Sequence, residues 1–168
     1  MMPEGEPVKQ FKKEKKRVLM ICLGNTCRSP IAEAVFKNHV KKLELTDHWE
    51  VDSAALELYH IGESPNERAI DILAKNGIKD YDHVARCIQN KDFEDFDWIL
   101  GMDDYNIGRL NELKPKNSLA RVELLGKYHP SGEIIIEDPY FSEDKYSFQK
   151  VYEQCALSIK SFLNEANE

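Results

Sequence analysis

Val18-Leu19-Met20-Ile21-Cys22-Leu23-Gly24-Asn25-Thr26-Cys27-Arg28-Ser29-Pro30 is the stretch from which the fold can be read. Val18 to Ile21 is a short apolar run rich in strand formers, and it stops at Leu23-Gly24-Asn25, where glycine and asparagine favour a turn. Ser29-Pro30, followed by Ile31, Ala34, Val35 and His39, reads as an N-cap, a proline at the first helical position and roughly helical apolar spacing. A buried strand therefore feeds a helix through a tight loop. Working outward, short strands are expected at Trp49 to Asp52 and Trp98 to Leu100, and a helix from about Pro65 to Lys75 closed by Asn76-Gly77. An apolar run at Ile134 to Ile136 precedes a long amphipathic helix carrying Phe148, Val151, Tyr152, Cys155, Ile159 and Phe162. This alternation predicts an α/β fold with a central parallel sheet, helices on both faces and any ligand at the carboxyl ends of the strands.

Length and composition bound the rest. A chain of 168 residues with 42% hydrophobic content can bury one good core, so a single domain at residues 17–168 is expected behind a flexible polar tail at 1–16. The charge run Lys12 to Arg17 is read as a solvated part of that tail. No apolar run is long enough to span a bilayer and the N-terminus does not look like a secretory signal, so a cytoplasmic protein with no membrane partner is expected. Cys22, Cys27, Cys87 and Cys155 are too unevenly spaced for a secreted disulfide framework and read as free thiols. A formal net charge of -7 argues against a nucleic-acid partner. Cysteines and histidines lack metal-ligand spacing, and no cofactor or metal is expected.

The loop Cys22 to Ser29 carries the chemistry. Curled backbone N–H groups and the free N–H groups of a helix N-terminus make a concave nest for phosphate oxygens, to which Arg28 can add a bidentate fork. The same positive potential favours thiolate over thiol, which makes Cys22 a candidate nucleophile. Gly24 and Asn25 are read as supplying the unusual backbone torsions such a loop needs. The Gly-Lys-Ser or Gly-Lys-Thr ending of the nucleotide-binding loop is absent, which argues against an NTPase.

Val18 to Glu33 resembles the signature loop of the low-molecular-weight protein tyrosine phosphatases. The resemblance extends through Val51-Asp52-Ser53-Ala54-Ala55, His83-Val84-Ala85-Arg86, Phe96-Asp97, Met102-Asp103, Glu123-Leu124-Leu125-Gly126 and Ile136-Glu137-Asp138-Pro139-Tyr140. It implies a phosphatase acting on phosphorylated proteins through a phosphocysteine on Cys22, with Arg28 and the loop positions Leu23, Gly24, Asn25, Thr26 and Cys27 holding the phosphate. Asp138 is implied as general acid and Ser29 as a hydroxyl bonded to the thiolate. Asn25, Ser53, His83 and Asp103 are implied as braces of the loop, and Tyr59 and Tyr140 as aromatics flanking the substrate. A reversible Cys22–Cys27 disulfide is also implied, beside the plainer reading of Cys27 as a packed small residue. A monomer or weak homodimer is expected.

Thr26 departs from the pattern, because tyrosine-directed members usually carry a branched aliphatic residue there and phosphoarginine-directed bacterial relatives carry threonine. A hydroxyl in the pocket wall suits a guanidinium, so the expected substrate leans to phosphoarginine, with phosphotyrosine as the alternative. Phe141 replaces a tyrosine that is itself phosphorylated in many animal relatives. Thioredoxin-linked arsenate reductases share the loop, but no close pair of resolving cysteines lies in mid-chain. A non-catalytic phosphoresidue-binding module is the remaining rival.

Overall fold

In the computed structural model, residues 15–166 are described. Most of the expected tail, residues 1–14, lies outside them. Strand β1 (Lys16–Cys22) opens the domain. Helix α1 (Arg28–Lys42) follows, then β2 (Trp49–Ala55) and α2 (Glu67–Lys75). The short α3 (Asp92–Asp95), β3 (Trp98–Gly101), α4 (Asp104–Leu113) and β4 (Arg121–Leu124) come next, and α5 (Ser147–Ala166) ends the described chain.

The four strands form one parallel sheet in the order β2-β1-β3-β4. β1 shows why its sequence is a continuous apolar run rather than an alternating one. Val18 and Met20 belong to the core shared with α1, α2 and α5, whereas Leu19 and Ile21 belong to the core of the opposite face, with Phe93, Phe96, Ile99 and Leu110. A strand covered on both faces has no solvated side on which to place polar residues. The α5 stripe meets α1 and the sheet through aromatics: the Phe162 ring lies 5.2 Å from Trp98 and 6.1 Å from Phe36.

Strand order reverses between β1 and β3, and at such a switch point the connections leave a crevice above the carboxyl ends. The loop after β1 occupies it. Asp103 follows β3 directly and caps α4, accepting from Asn106 N at 2.8 Å. Ser53 lies near the same end of β2. Ile134 to Ile136 is not a strand. The segment lies so close to Gly126 that a Cβ there would meet the Ile134 carbonyl oxygen at 2.2 Å, so only glycine admits it. Ile136 N then donates to Met102 O at 2.9 Å, carrying the chain across the end of β3 toward Asp138.

Candidate active site

The loop from Cys22 to Ser29 is tied outward by its carbonyls. Those of Cys22, Leu23 and Thr26 accept from Leu56 N, Glu57 N and Asn66 N at 3.1, 3.0 and 2.8 Å. Peptide units fixed this way turn their opposite ends toward the concave side, as an anion nest requires. Asn25 sits at φ 58, in the left-handed region, a conformation asparagine tolerates better than most residues. Gly24 is not at positive φ, contrary to the torsional role expected of it. Its role is one of space: a Cβ there would meet His60 Cδ2 at 2.7 Å and would require that ring to move.

Cys22 Sγ is buried at the mouth of β1 and faces three donors. Asn25 N and Ser29 N lie at 3.3 and 3.4 Å and Ser29 Oγ at 3.0 Å. Ser29 was expected to cap the helix, but α1 begins at Arg28, and neither Cys27 nor Ser29 makes a side-chain cap. The serine hydroxyl and N–H are turned to the sulfur instead, inside the first helical turn. Electrostatically, this concentrates N–H and O–H dipoles on one atom in a site of low dielectric, where each interaction is stronger than in water.

Arg28 is almost fully buried, and its Nη1 donates to Asp103 Oδ2 at 2.6 Å and to Ile136 O at 2.9 Å. Nη2 lies 3.7 Å from Asp138 Oδ2. Burial works against the guanidinium charge, but Cys22, Asp103 and Asp138 outweigh it and hold the pKa above the ordinary arginine value. Asp103 therefore braces Arg28 rather than the loop backbone. Cys27 behaves oppositely: burial and the neighbouring Cys22 push its thiol up to about 12. Cys22 and Cys27 are both free thiols.

Behind the loop lies a network the sequence reading anticipated in part. Asn25 Nδ2 donates to Ser29 Oγ at 2.8 Å and Ser53 Oγ at 2.9 Å, and its Oδ1 accepts from His83 Nε2 at 2.8 Å and Arg86 N at 3.2 Å. Ser53 Oγ donates to Glu33 Oε1 at 2.6 Å. Glu33 was missed, although a carboxylate inside the apolar run Ile31 to Phe36 is a signal for a paired buried acid. Among the described residues, Glu33, Asp52 and His83 form one group whose ligand atoms lie within 4.8 Å of one another. Each is already engaged, Glu33 with Ser53 and Lys37, Asp52 with Arg86 and His83 with Asn25. The arrangement is that of a bracing network rather than an open cation site.

Above the loop is a cavity of about 370 Å³ lined by Cys22, Leu23, Gly24, Thr26, Cys27, Arg28, Tyr59, His60, Asp138, Tyr140 and Phe141. Of the loop positions and aromatics expected to hold phosphate or substrate, all but the buried Asn25 line this space, and Asp138 joins them from 116 positions after Cys22. His60 and Phe141 are wall residues that the sequence reading did not place at the site. His60 Nδ1 lies 2.5 Å from Glu63 Oε2 and its ring 5.7 Å from that of Tyr140. The Thr26 side chain is buried, with its hydroxyl 3.9 Å from Cys27 Sγ, a weak contact that leaves acceptor capacity free. A thiol ringed by donors, a buried guanidinium and a carboxylate across the gap can together take a tetrahedral dianion and protonate a group leaving it.

The model of the family described as low molecular weight phosphotyrosine protein phosphatase matches residues 17–168. A curated protein of that name from Rattus norvegicus is 46% identical over 154 residues, covering 90% of this chain and 96% of its own length. Among solved structures, a Drosophila arginine phosphatase is 38% identical with a TM-score of 0.85, covering 90% of this chain and 98% of that one. A protein tyrosine phosphatase from Entamoeba histolytica is 27% identical with a TM-score of 0.86, covering 91% and 97%.

Proposed function

This chain belongs to the low molecular weight phosphotyrosine protein phosphatase family, a family of hydrolases, and we propose that it removes phosphate from protein side chains through a phosphocysteine on Cys22, with phosphoarginine as its preferred substrate. The observation that carries the reading is the donor-ringed Cys22 sulfur sharing one cavity with Arg28 and Asp138.

Cys22 Sγ attacks phosphorus in line. The S–P bond forms as the bond from phosphorus to the side-chain nitrogen or oxygen breaks, and the leaving atom takes the proton of Asp138. Arg28 and the loop N–H groups hold the equatorial oxygens, whose charge they meet without reorganising because Asp103 and Ile136 O already fix the guanidinium. In the second step water attacks phosphorus, its proton passes to the Asp138 carboxylate, and the S–P bond breaks. The sulfur leaves as a thiolate that Ser29 Oγ, at 3.0 Å, receives with a hydrogen bond. The side-chain network of Asn25, Ser53, His83 and Glu33 supports this geometry from behind the loop.

The substrate preference rests on Thr26. A guanidinium brings N–H donors into the wall of the pocket, and a buried donor without an acceptor costs about 1 to 3 kcal/mol. Thr26 Oγ1, in the cavity wall, supplies an acceptor for one of them. The similarity to the Drosophila arginine phosphatase supports the reading, and TM-scores of 0.85 to it and 0.86 to a tyrosine phosphatase leave the choice to the wall rather than the scaffold. Phosphotyrosine is the second reading, favoured by the relatives' names and by Tyr59 and Tyr140 beside the cavity. Matched phosphoarginine and phosphotyrosine peptides, with Cys22→Ser as blank, separate the two. Wild type should favour phosphoarginine, and Thr26→Ile should shift the preference toward phosphotyrosine roughly tenfold to a hundredfold, the equivalent of that desolvation cost. A wild-type preference for phosphotyrosine that Thr26→Ile leaves unmoved overturns the arginine reading.

A further inference from the structure

We propose that Arg68, on α2, is a positioning residue for the general acid: its guanidinium clamps the loop that carries Asp138 and fixes the carboxylate over the cavity. The proposal rests on the assignment of Asp138 as the acid.

The segment from Glu137 to Ser142 is neither helix nor strand, so its position depends on side-chain anchors. One lies upstream of Asp138, where Arg28 Nη1 holds Ile136 O at 2.9 Å. The other lies downstream. Arg68 Nη2 donates to Tyr140 O at 2.7 Å and Nη1 to Ser142 O at 3.3 Å, so one rigid fork grips two carbonyls of the loop. The guanidinium is itself fixed, lying over the Phe148 ring at 4.5 Å on the first turn of α5. Tyr140 is the residue that matters to the acid, because its N–H donates to Asp138 Oδ1 at 3.0 Å. Arg68 therefore holds the carbonyl of the same residue whose N–H orients the carboxylate.

The root of Arg68 is tied to the phosphate side of the site. Asn66, which caps α2 by accepting from Arg68 N at 2.9 Å, gives its own N–H to Thr26 O at 2.8 Å. α2 thereby links the cradle loop to the acid loop through adjacent residues, with Arg68 as the reaching arm. A displacement of about 1 Å at a proton donor is enough to cost on the order of a hundredfold in rate, so a clamp two residues away from Asp138 acts on chemistry rather than on fold.

The test separates acid placement from general damage by leaving-group dependence in kcat/KM, which reports the step that expels the leaving group. Phenyl phosphate, whose phenol resembles tyrosine with a pKa of about 10, needs a proton at departure, whereas an aryl phosphate with a strongly acidic fluorinated phenol does not. Arg68→Ala should lower kcat/KM for phenyl phosphate by about tenfold, part of the hundredfold or more that a general acid supplies, and leave the activated ester within about twofold. Arg68→Lys, which keeps the charge without the fork, should fall between. In an Asp138→Ala background, Arg68→Ala should cause no further loss. Equal slowing of both esters, or no slowing, overturns the clamp while leaving the acid assignment standing. If Asp138→Ala itself shows no leaving-group dependence, the acid assignment falls and takes the clamp with it.

Discussion

Residues 22–29 and residues 137–142 face each other across the cavity and are built on opposite plans. In the first loop nearly every side chain is buried, and the carbonyls of Cys22, Leu23, Thr26 and Cys27, the sulfur and the asparagine side chain are engaged. In the second, the Asp138 side chain is 38% exposed and Phe141 is 88% exposed, and Arg68 holds the carbonyls of Tyr140 and Ser142. The two tasks differ in the same way. Stabilising a dianion rewards donors fixed before the substrate arrives, whereas the group that hands over a proton must admit the substrate first. Rigidity belongs to the charge-bearing half and access to the proton-bearing half.

The largest expected effect breaks the rigid half. Arg28→Lys keeps the charge but loses the planar guanidinium, whose Nη1 meets Asp103 and Ile136 O, and turnover should fall about 10² to 10³-fold, as when a fixed transition-state donor is removed. Steady-state kinetics on one peptide substrate check this, and a loss under threefold would mean that charge alone suffices.

A middle effect tests whether the bracing network or the backbone conformation keeps the cradle in shape. Asn25→Ala strips a buried hub from Ser29, Ser53 and His83 and places alanine at φ 58, so stability should drop by about 2 to 4 kcal/mol in urea unfolding. Asn25→Gly relieves the backbone but not the network, and should recover about 1 kcal/mol of that loss. Full recovery by glycine would show that the side-chain hub contributes nothing.

The smallest effect concerns pH. The Cys27 and Cys155 thiols are both pushed from 9.0 up to about 12, Cys155 by burial first and Cys27 by burial and Cys22. The native state therefore holds protons that the unfolded state releases near 9, so stability is full below that value and declines as pH rises toward 12. The urea midpoint should be lower at about pH 10.5 than at about pH 8, and Cys27→Ala should flatten part of the slope. A midpoint that rises with pH over this window contradicts the burial of these thiols.

Most of the rigid half could be read from sequence, because its signals are local. The doubly buried β1 shows as an unbroken apolar run, and the turn residues and Pro30 mark the strand-to-helix passage. For Ser29 the local pattern gave only an N-cap, because an N-cap serine and a serine aimed at a sulfur seven residues back have the same local signature, and only the resemblance pointed to the sulfur. The other half depends on contacts distant in sequence. Ile134 to Ile136 looks strand-like but is placed by Gly126, and nothing local marks Arg68 as the partner of Tyr140 O. β4 escaped notice because Arg121-Val122-Glu123-Leu124 is a short edge strand with little apolar content, and α4 because it buries only Asn106 and Leu110. Thr26, His60 and Asp138 meet only once the chain is folded; for Asp138 the resemblance, not the local pattern, pointed to the site.

The central claim is that Cys22 carries the phosphoryl group between the two loops. Acid quenching within the first turnover on a fast aryl phosphate, followed by peptide mass spectrometry of wild type, Asp138→Asn and Cys22→Ser, measures it directly. The account predicts a phosphoryl group on the peptide containing Cys22 in the first two proteins, and neither adduct nor phosphate release in the third. Phosphate release that persists in Cys22→Ser, or an adduct carried by Cys27 instead, contradicts it.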